Sequence, residues 1–186
     1  MVGGDHKWAA VVAVSVLSVS LLAGCAAETQ ANVLTLAQTK SPVQLLRNET
    51  ASRVPTTMID EVAESVDVSV ACKTVEADPT GIMRKWKSSV LMTIKSGSAW
   101  RTLDVADDIV QTYVDEGWTS SRGFDSAVTV SVLESDRQAT DIEIQAKEPE
   151  EGSDKGATLR VTTTGPCVAT EGADSTEIRK LENRDE

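Results

Sequence analysis

The sequence predicts an α+β domain built on a single antiparallel sheet of about five strands, with helices packed on one face. Three observations lead to this fold class. The predicted elements run helix, two strands, helix and three strands, an order typical of α+β domains. Each predicted strand alternates apolar and polar residues, so one of its faces is buried and the other is solvated. A long amphipathic helix separates the two groups of strands, and its apolar stripe needs a sheet face to pack against.

The first helix and strand of the domain are predicted within residues 57–73. Thr57 and Asp60 resemble the start of a capped helix, and the next apolar residues recur at helical spacing, which predicts a helix over residues 57–65. Alternation then predicts the first strand, whose core-facing side carries Val66, Val68, Val70 and Cys72.

Turn residues at 77–81 lead into a second, longer alternating run over residues 83–95. Its predicted core side carries Trp86, Ser88, Val90, Met92 and Ile94. The main helix follows, with Ser98 as a candidate N-cap and Gly117 as its end. Its apolar stripe consists of Trp100, Leu103, Ala106, Ile109, Val110, Tyr113 and Val114.

Three shorter alternating runs predict a three-stranded meander after the main helix. Their apolar positions are Val128, Val130 and Val132, then Ile142, Ile144 and Ala146, and finally Leu159 and Val161 in a run that continues to Cys167. A capping-box pattern at residues 174–177 predicts one short helix containing Ile178 and Leu181, followed by a charged tail.

Length and charge limit the classes of function. The chain has 186 residues, of which 40% are hydrophobic and 25% charged, which is typical of one globular domain. Its net charge is −11 and only 3% of its residues are aromatic. Nucleic acid is an unsuitable partner, because binding a phosphate backbone requires clustered cations and stacking side chains.

The amino-terminal residues predict a targeting segment. Residues 8–23 contain no charge, and this apolar run of sixteen residues is shorter than the stretch of about 20 that a membrane-spanning helix requires. Small residues follow it, as in a secretory signal peptide. The four residues at its end resemble the lipobox of bacterial lipoproteins: Leu22, Ala23, Gly24 and Cys25.

This resemblance implies that residues 1–24 are a signal peptide and that Cys25 is acylated and becomes the first residue of the mature protein. The partner of Cys25 is then the lipid bilayer, and the protein is extracytoplasmic and anchored to the cell membrane. An ordinary secreted protein and an uncleaved anchor are the alternatives. Residues 25–53 are predicted to form a lipid-anchored tether with a short helix at 43–47, and residues 54–186 to form the α+β domain.

The remaining cysteines, Cys72 and Cys167, are an even pair in a chain predicted to reach an oxidising compartment. We expect a disulfide between them, and two buried thiols are the alternative. The single histidine, His6, lies in the predicted signal peptide. Histidine-based catalytic triads and histidine-ligated zinc are therefore excluded for the mature chain, and the sequence indicates no metal or other cofactor.

Three surface features are candidate sites. Lys85 and Lys87 share one strand face and could contact anionic headgroups or cell-wall polymer, or could simply be solvated. Trp100 and Trp118, at the two ends of the main helix with Phe124 nearby, could line a ligand pocket or close the core. The acidic residues at 148–154 lack the pattern of a calcium loop and are expected to be a solvated hairpin tip.

A wider resemblance rests on residues 41–49, 84–90, 116–118 and 165–168. Together with the acidic tail, these segments resemble uncharacterised small lipoproteins of actinobacteria, which implies location in the cell envelope and no catalytic residue. The predicted function is a non-catalytic binding or accessory module, with an envelope protein or the cell wall as candidate partner. A carboxylate-dependent envelope hydrolase and a ligand sensor for a neighbouring membrane protein are the alternatives.

Overall fold

The computed structural model describes residues 34–125, 128–149 and 156–184. Within these ranges the chain forms three helices and seven strands. In chain order they are α1 (Leu36–Ser52), β1 (Ile59–Ala71), β2 (Met83–Ile94), α2 (Thr102–Asp115), β3 (Thr119–Asp125), β4 (Val128–Ser135), β5 (Gln138–Lys147), β6 (Thr158–Thr164), β7 (Val168–Ala169) and α3 (Thr176–Leu181).

The strands form one antiparallel sheet with the spatial order β1-β2-β6-β5-β4-β3, and β7 pairs with β2 beyond the end of β6. The predicted α+β class with one antiparallel sheet is confirmed, but the described part of the sheet has seven strands instead of about five. The strands missed are β3 and β7. The β3 sequence, TSSRGFD, has no apolar alternation, and β7 has only two residues, so neither carries the period-two signal.

Both long helices pack on the same face of the sheet, which we call the covered face. Ile109 of α2, Met92 of β2 and Ile144 of β5 belong to one hydrophobic core, and Leu46 of α1 packs against it. A second, smaller core joins α1 and α3 to the sheet through Leu36, Val43, Trp86, Val168 and Ile178. Among the described elements no helix covers the other face, which we call the open face.

The strand pairing shows that two of the predicted strand faces are inverted. On β1, Ser69 pairs with Trp86 on the covered face, and the valines predicted to face the core pair with residues of the open face. On β4, Leu133 is fully buried, and the three alternating valines lie on the open face. The residues affected are Val66, Val68, Val70, Val128, Val130 and Val132. Alternation identifies which residues share a face, but it does not identify which face a distant helix will cover.

Residues 57–65 were expected to be helical, and this prediction is wrong because β1 begins at Ile59. The register between β1 and β2 shifts twice, between Ile59 and Glu61 and between Val62 and Glu64. Each bulge inserts an extra residue, which destroys strict alternation and leaves apolar residues at spacings that also fit a helix. Met58 is buried just before the strand.

Helix α1 occupies seventeen residues of the segment assigned to the tether, where only a short helix at 43–47 was expected. It begins at a capping box, in which the Thr35 hydroxyl accepts from the Gln38 amide while the Gln38 side chain accepts from the Thr35 amide. Its buried residues are Leu36, Thr39, Val43 and Thr50. Two of these four are threonines and Pro42 lies inside the helix, so the sequence shows no strong apolar stripe. This segment is therefore part of the folded domain.

The other two helices lie where the sequence predicts them, although the N-cap of α2 is Arg101 and not the expected Ser98. Of the predicted stripe, Ala106, Ile109 and Tyr113 are buried, Leu103, Val110 and Val114 are partly buried, and Trp100 is exposed. The chain leaves α2 at Gly117, whose φ of +93° suits glycine. Helix α3 begins at Ser175, whose hydroxyl accepts from the Ile178 amide. No helix in the described part of the chain is long and apolar enough to cross a membrane.

Cys72 and Cys167 form the expected disulfide, with their Cα atoms 6.0 Å apart. Cys72 directly follows β1, and Cys167 directly precedes β7. The bond therefore joins the end of an edge strand to a segment 95 residues further along the chain.

Candidate functional site

An open groove of about 490 Å³ runs along α2 beside the end of α1. We call it the Trp100 groove, because Trp100 is its largest and most exposed side chain. Its lining residues are Arg53, Pro55, Trp100, Val105, Asp108, Ile109, Thr112 and Glu116. Val105 and Ile109 are buried core residues, so they supply an apolar floor, and the charged residues form the rim. This combination of an apolar floor and a few polar groups is typical of small-molecule sites.

Trp100 leaves 57% of its surface exposed. It was predicted to belong to the apolar stripe of the main helix, but it precedes α2 and stays outside the core. Its backbone amide donates to the Ser98 hydroxyl at 3.3 Å. It also lines a second, smaller cavity of about 180 Å³ on the side of the β2–α2 loop. The Trp100 indole therefore lines two cavities, and its N–H has no hydrogen-bond partner in the described part of the chain. It offers a flat apolar surface and a free hydrogen-bond donor.

Arg53 is fixed at the rim by three groups. Its guanidinium lies 3.3 Å from the Glu49 carboxylate and 3.0 Å from the Glu116 carboxylate. The same group sits over the Tyr113 ring, with 4.1 Å from its carbon to the ring centroid. Burial acts to lower the pKa of Arg53, but the hydrogen bond and charge of Glu116 raise it overall, so Arg53 stays cationic. These contacts hold this wall of the groove in one geometry.

Tyr113 connects the groove to α1. Because Thr50 donates its hydroxyl proton to the Leu46 carbonyl at 2.8 Å, Tyr113 is the donor in its 2.7 Å hydrogen bond to Thr50. The Tyr113 ring also packs edge-on against Trp118, with ring centroids 5.2 Å apart. Burial raises the pKa of Tyr113, so the hydroxyl remains protonated and keeps donating to α1 at neutral pH.

The start of α2 is capped from another element. The backbone amide of Leu103 donates to the Glu148 carboxylate at 3.0 Å, although Arg101, the N-cap residue, makes no side-chain capping bond. Ser98, the N-cap expected from the sequence, lies three residues earlier and bonds Trp100 instead. The start of the helix that carries the groove is thus fixed by a residue just after β5.

The rim of the groove has an excess of negative charge. Arg53 is already neutralised by its two carboxylate partners. Asp108 is exposed, and its carboxylate has no ion pair within the described residues. A cationic group entering the groove would therefore find an unpaired carboxylate and an aromatic face in its lining.

The two tryptophans that were candidates for one pocket have different positions. Trp100 lines the groove, whereas Trp118 is only 8% exposed and belongs to the core. The side chain of Phe124 lies outside the described residues, as do Cys25 and positions 150–154 of the acidic stretch. No sequence signal indicated Arg53 or Asp108. Arg53 reaches the groove through the packing of α1 beside α2, and Asp108 is one of several acidic residues on α2.

The basic cluster of the sequence is divided between the two sheet faces. Lys85 and Lys87 lie on the open face, where they pair with Val70 and Val68. Trp86 is fully buried on the covered face, its indole N–H donates to Asp67 at 3.4 Å, and the Lys40 ammonium lies 4.9 Å from its ring centroid. A surface-binding role for Lys85 and Lys87 stays a prediction.

Comparison with known proteins finds no matching family model, no matching curated protein and no matching solved structure.

Proposed function

We propose that this chain is a lipid-anchored, extracytoplasmic protein of the cell envelope that acts by binding a ligand. The proposed binding function rests on the Trp100 groove. An indole more than half exposed leaves a large apolar area in water, and the open groove beside it, about 490 Å³, is large enough to hold a small ligand.

The ligand class that best fits the groove is a small organic cation with an apolar or aromatic body. The body would rest on Trp100 and on the floor formed by Val105 and Ile109, and the cationic group would face Asp108. Attraction between a cation and an indole face contributes about 0.5 to 2 kcal/mol, depending on how far the pair is shielded from water.

One of the two carboxylates that line the groove is already paired, which favours binding over the hydrolase alternative. Glu116 forms an ion pair with Arg53 at 3.0 Å, so Asp108 is the one carboxylate of the lining without a charged partner among the described residues. A ligand sensor would use the same groove, so it is a variant of the proposed function.

The extracytoplasmic location is supported by the lipobox-like sequence ending at Cys25 and by the Cys72–Cys167 disulfide, a bond that persists outside the cytoplasm. Replacing Cys25 by serine should move the protein from the membrane fraction to the soluble fraction, because serine has no thiol to acylate. Immunoblotting of fractionated cells measures this.

Replacing both Cys72 and Cys167 by serine is the matched control, since it removes the same atoms at positions that carry no lipid. This variant should stay with the membrane. Retention of the Cys25→Ser variant in the membrane fraction would refute the anchor.

The binding proposal is tested with two probes of similar shape and opposite charge, benzyltrimethylammonium and p-toluenesulfonate. Calorimetric titration of the full chain should show saturable binding of the cation only. Trp100→Ala should weaken that binding at least about tenfold, which corresponds to about 1.4 kcal/mol. Asp108→Asn should weaken it several-fold, because it removes the unpaired charge and keeps the shape.

Leu45→Ala is the matched control, since Leu45 is 67% exposed on α1 and does not line the groove. It should bind like the unchanged chain. Equal binding of the two probes, or equal loss of affinity in Leu45→Ala and Trp100→Ala, would contradict the proposal.

A further inference from the structure

A separate cavity, of about 690 Å³, lies at the opposite end of β2 from the Trp100 groove. Its walls come from the loop between β1 and β2 and from the segment that joins β7 to α3. We call it the Arg84 cavity, because Arg84 is the buried charged residue that lines it. It shares no lining residue with the groove, so it can be considered independently of the proposed function.

Arg84 is only 8% exposed and makes hydrogen bonds to one residue. Its Nε donates to the Ser69 hydroxyl, and its Nη2 donates to the Ser69 carbonyl at 2.7 Å. The remaining nitrogen, Nη1, has no hydrogen-bond partner in the described part of the chain. A guanidinium presents its donors in a planar fork, so Nη1 and the second hydrogen of Nη2 remain available together.

Arg84 also lacks a counter-ion among the described residues, although the chain is strongly acidic. Three other arginines whose side chains are largely buried have a carboxylate partner: Arg47 pairs with Asp67 at 3.6 Å, Arg53 with Glu116 at 3.0 Å, and Arg160 with Glu64 at 2.8 Å. Burying a charge is costly unless an opposite charge accompanies it. An anion in the Arg84 cavity would supply that missing charge.

The carboxylates of the cavity are not directed at Arg84. Asp78 accepts hydrogen bonds from the backbone amides of Ile82 and Met83 at 3.1 and 2.7 Å, so its carboxylate stabilises the loop between β1 and β2. Glu171 and Asp174 are exposed and stand at the rim. The exposed Lys73 also lines the cavity. The cavity therefore has a buried cation, Arg84, and at its rim one exposed cation and two exposed anions.

Gly81 lies next to Nη1 at the wall of the cavity. A Cβ atom at this position would lie 3.6 Å from Nη1, in ordinary van der Waals contact with it. The φ of Gly81 is +62°, which other residues adopt with difficulty.

From this arrangement we propose that the Arg84 cavity binds a zwitterionic ligand of the amino-acid or short-peptide class. The ligand carboxylate would take the free edge of the Arg84 guanidinium, and the ligand ammonium would face Glu171 and Asp174. Because Lys73 adds a second cation to the cavity, inorganic phosphate is the competing ligand that the test has to distinguish.

The test uses L-alanyl-L-alanine as probe with two capped forms of it. The amide form lacks the carboxylate, and the N-acetyl form lacks the ammonium. Calorimetric titration of the full chain should show saturable binding of the dipeptide, at least about tenfold weaker binding of the amide, and several-fold weaker binding of the N-acetyl form. Charge-assisted hydrogen bonds contribute enough for a loss of this size.

Arg84→Gln should abolish dipeptide binding, and Lys85→Gln is the matched control because Lys85 is the next residue and lies on the open face. The comparison of the three peptides on the unchanged chain decides the proposal even if Arg84→Gln does not fold. Absence of saturable dipeptide binding, equal binding of the amide, or displacement of the dipeptide by an equal concentration of inorganic phosphate would overturn it.

Discussion

Replacing Cys72 and Cys167 together by alanine is expected to lower the free energy of unfolding by about 4 to 5 kcal/mol. The disulfide closes a loop with a sequence separation of 95 residues, and the chain-entropy model assigns about 4.7 kcal/mol to a loop of about 100 residues. Its position adds to the effect, because β1 is an edge strand that pairs only with β2. Without the bond, the end of β1 depends on its ladder of hydrogen bonds.

Urea unfolding followed by circular dichroism measures this change. Dithiothreitol should lower the midpoint for the unchanged chain by a similar amount and should leave the double alanine variant unaffected. A change below about 1 kcal/mol, or an equal effect of dithiothreitol on both proteins, would show that the disulfide does not stabilise the fold.

Replacing Trp86 by alanine is expected to cost about 3 to 5 kcal/mol, the range for truncating a large aromatic residue in a packed core. Trp86 is fully buried, belongs to the smaller core with Leu36 and Ile178, and donates a hydrogen bond to Asp67. Its removal would leave a large cavity where α1, α3 and β2 meet.

Trp100→Ala is the matched control, because it is the same substitution at a residue that is 57% exposed. It should cost less than about 0.5 kcal/mol, as surface substitutions generally do. Equal destabilisation by the two substitutions would contradict the assignment of Trp86 to the core and of Trp100 to a binding surface. The unfolding free energies come from the same urea titrations.

The core-facing sides of β2, β5 and β6 could be predicted from the sequence, and those of β1 and β4 could not. The apolar side chains Val90, Met92, Ile142, Ile144 and Leu159 point to the helices as predicted, because in these three strands the apolar residues lie on the face that the helices cover. The edge strand β1 carries its valines on the open face. Its Asp67 forms an ion pair with Arg47 of α1, and its Ser69 accepts hydrogen bonds from Arg84 of β2. These partners belong to other elements, so the local sequence pattern of β1 carries no information about them.

Helix α1 shows a similar limit. Its buried Thr39 and Thr50 bond the carbonyls of Leu36 and Leu46 in their own helix, and Thr50 also accepts from Tyr113. These hydrogen bonds allow the two threonines to be buried. In the sequence, however, two polar residues at buried positions weaken the apolar periodicity that predicts a packed helix. The segment therefore resembled a tether.

The candidate groove was only partly visible in the sequence. Trp100 was recognisable as an aromatic residue at a helix end, but the same argument applied equally to Trp118, which the structure places in the core beside Tyr113. Exposure distinguishes the two tryptophans, and exposure depends on the packing of α1 against α2. The disulfide was predictable because compartment and cysteine number leave few alternatives.

The central claim is that ligand binding occurs on Trp100, and nuclear magnetic resonance of the indole N–H groups tests it most directly. Titration of the full chain with benzyltrimethylammonium should shift the Trp100 signal progressively to saturation, and the signals of the buried Trp86 and Trp118 should stay in place. Assignment by Trp100→Phe identifies the signal that moves. Equal small shifts of the Trp86, Trp100 and Trp118 signals, or no shift at Trp100 at saturating probe, would contradict the account.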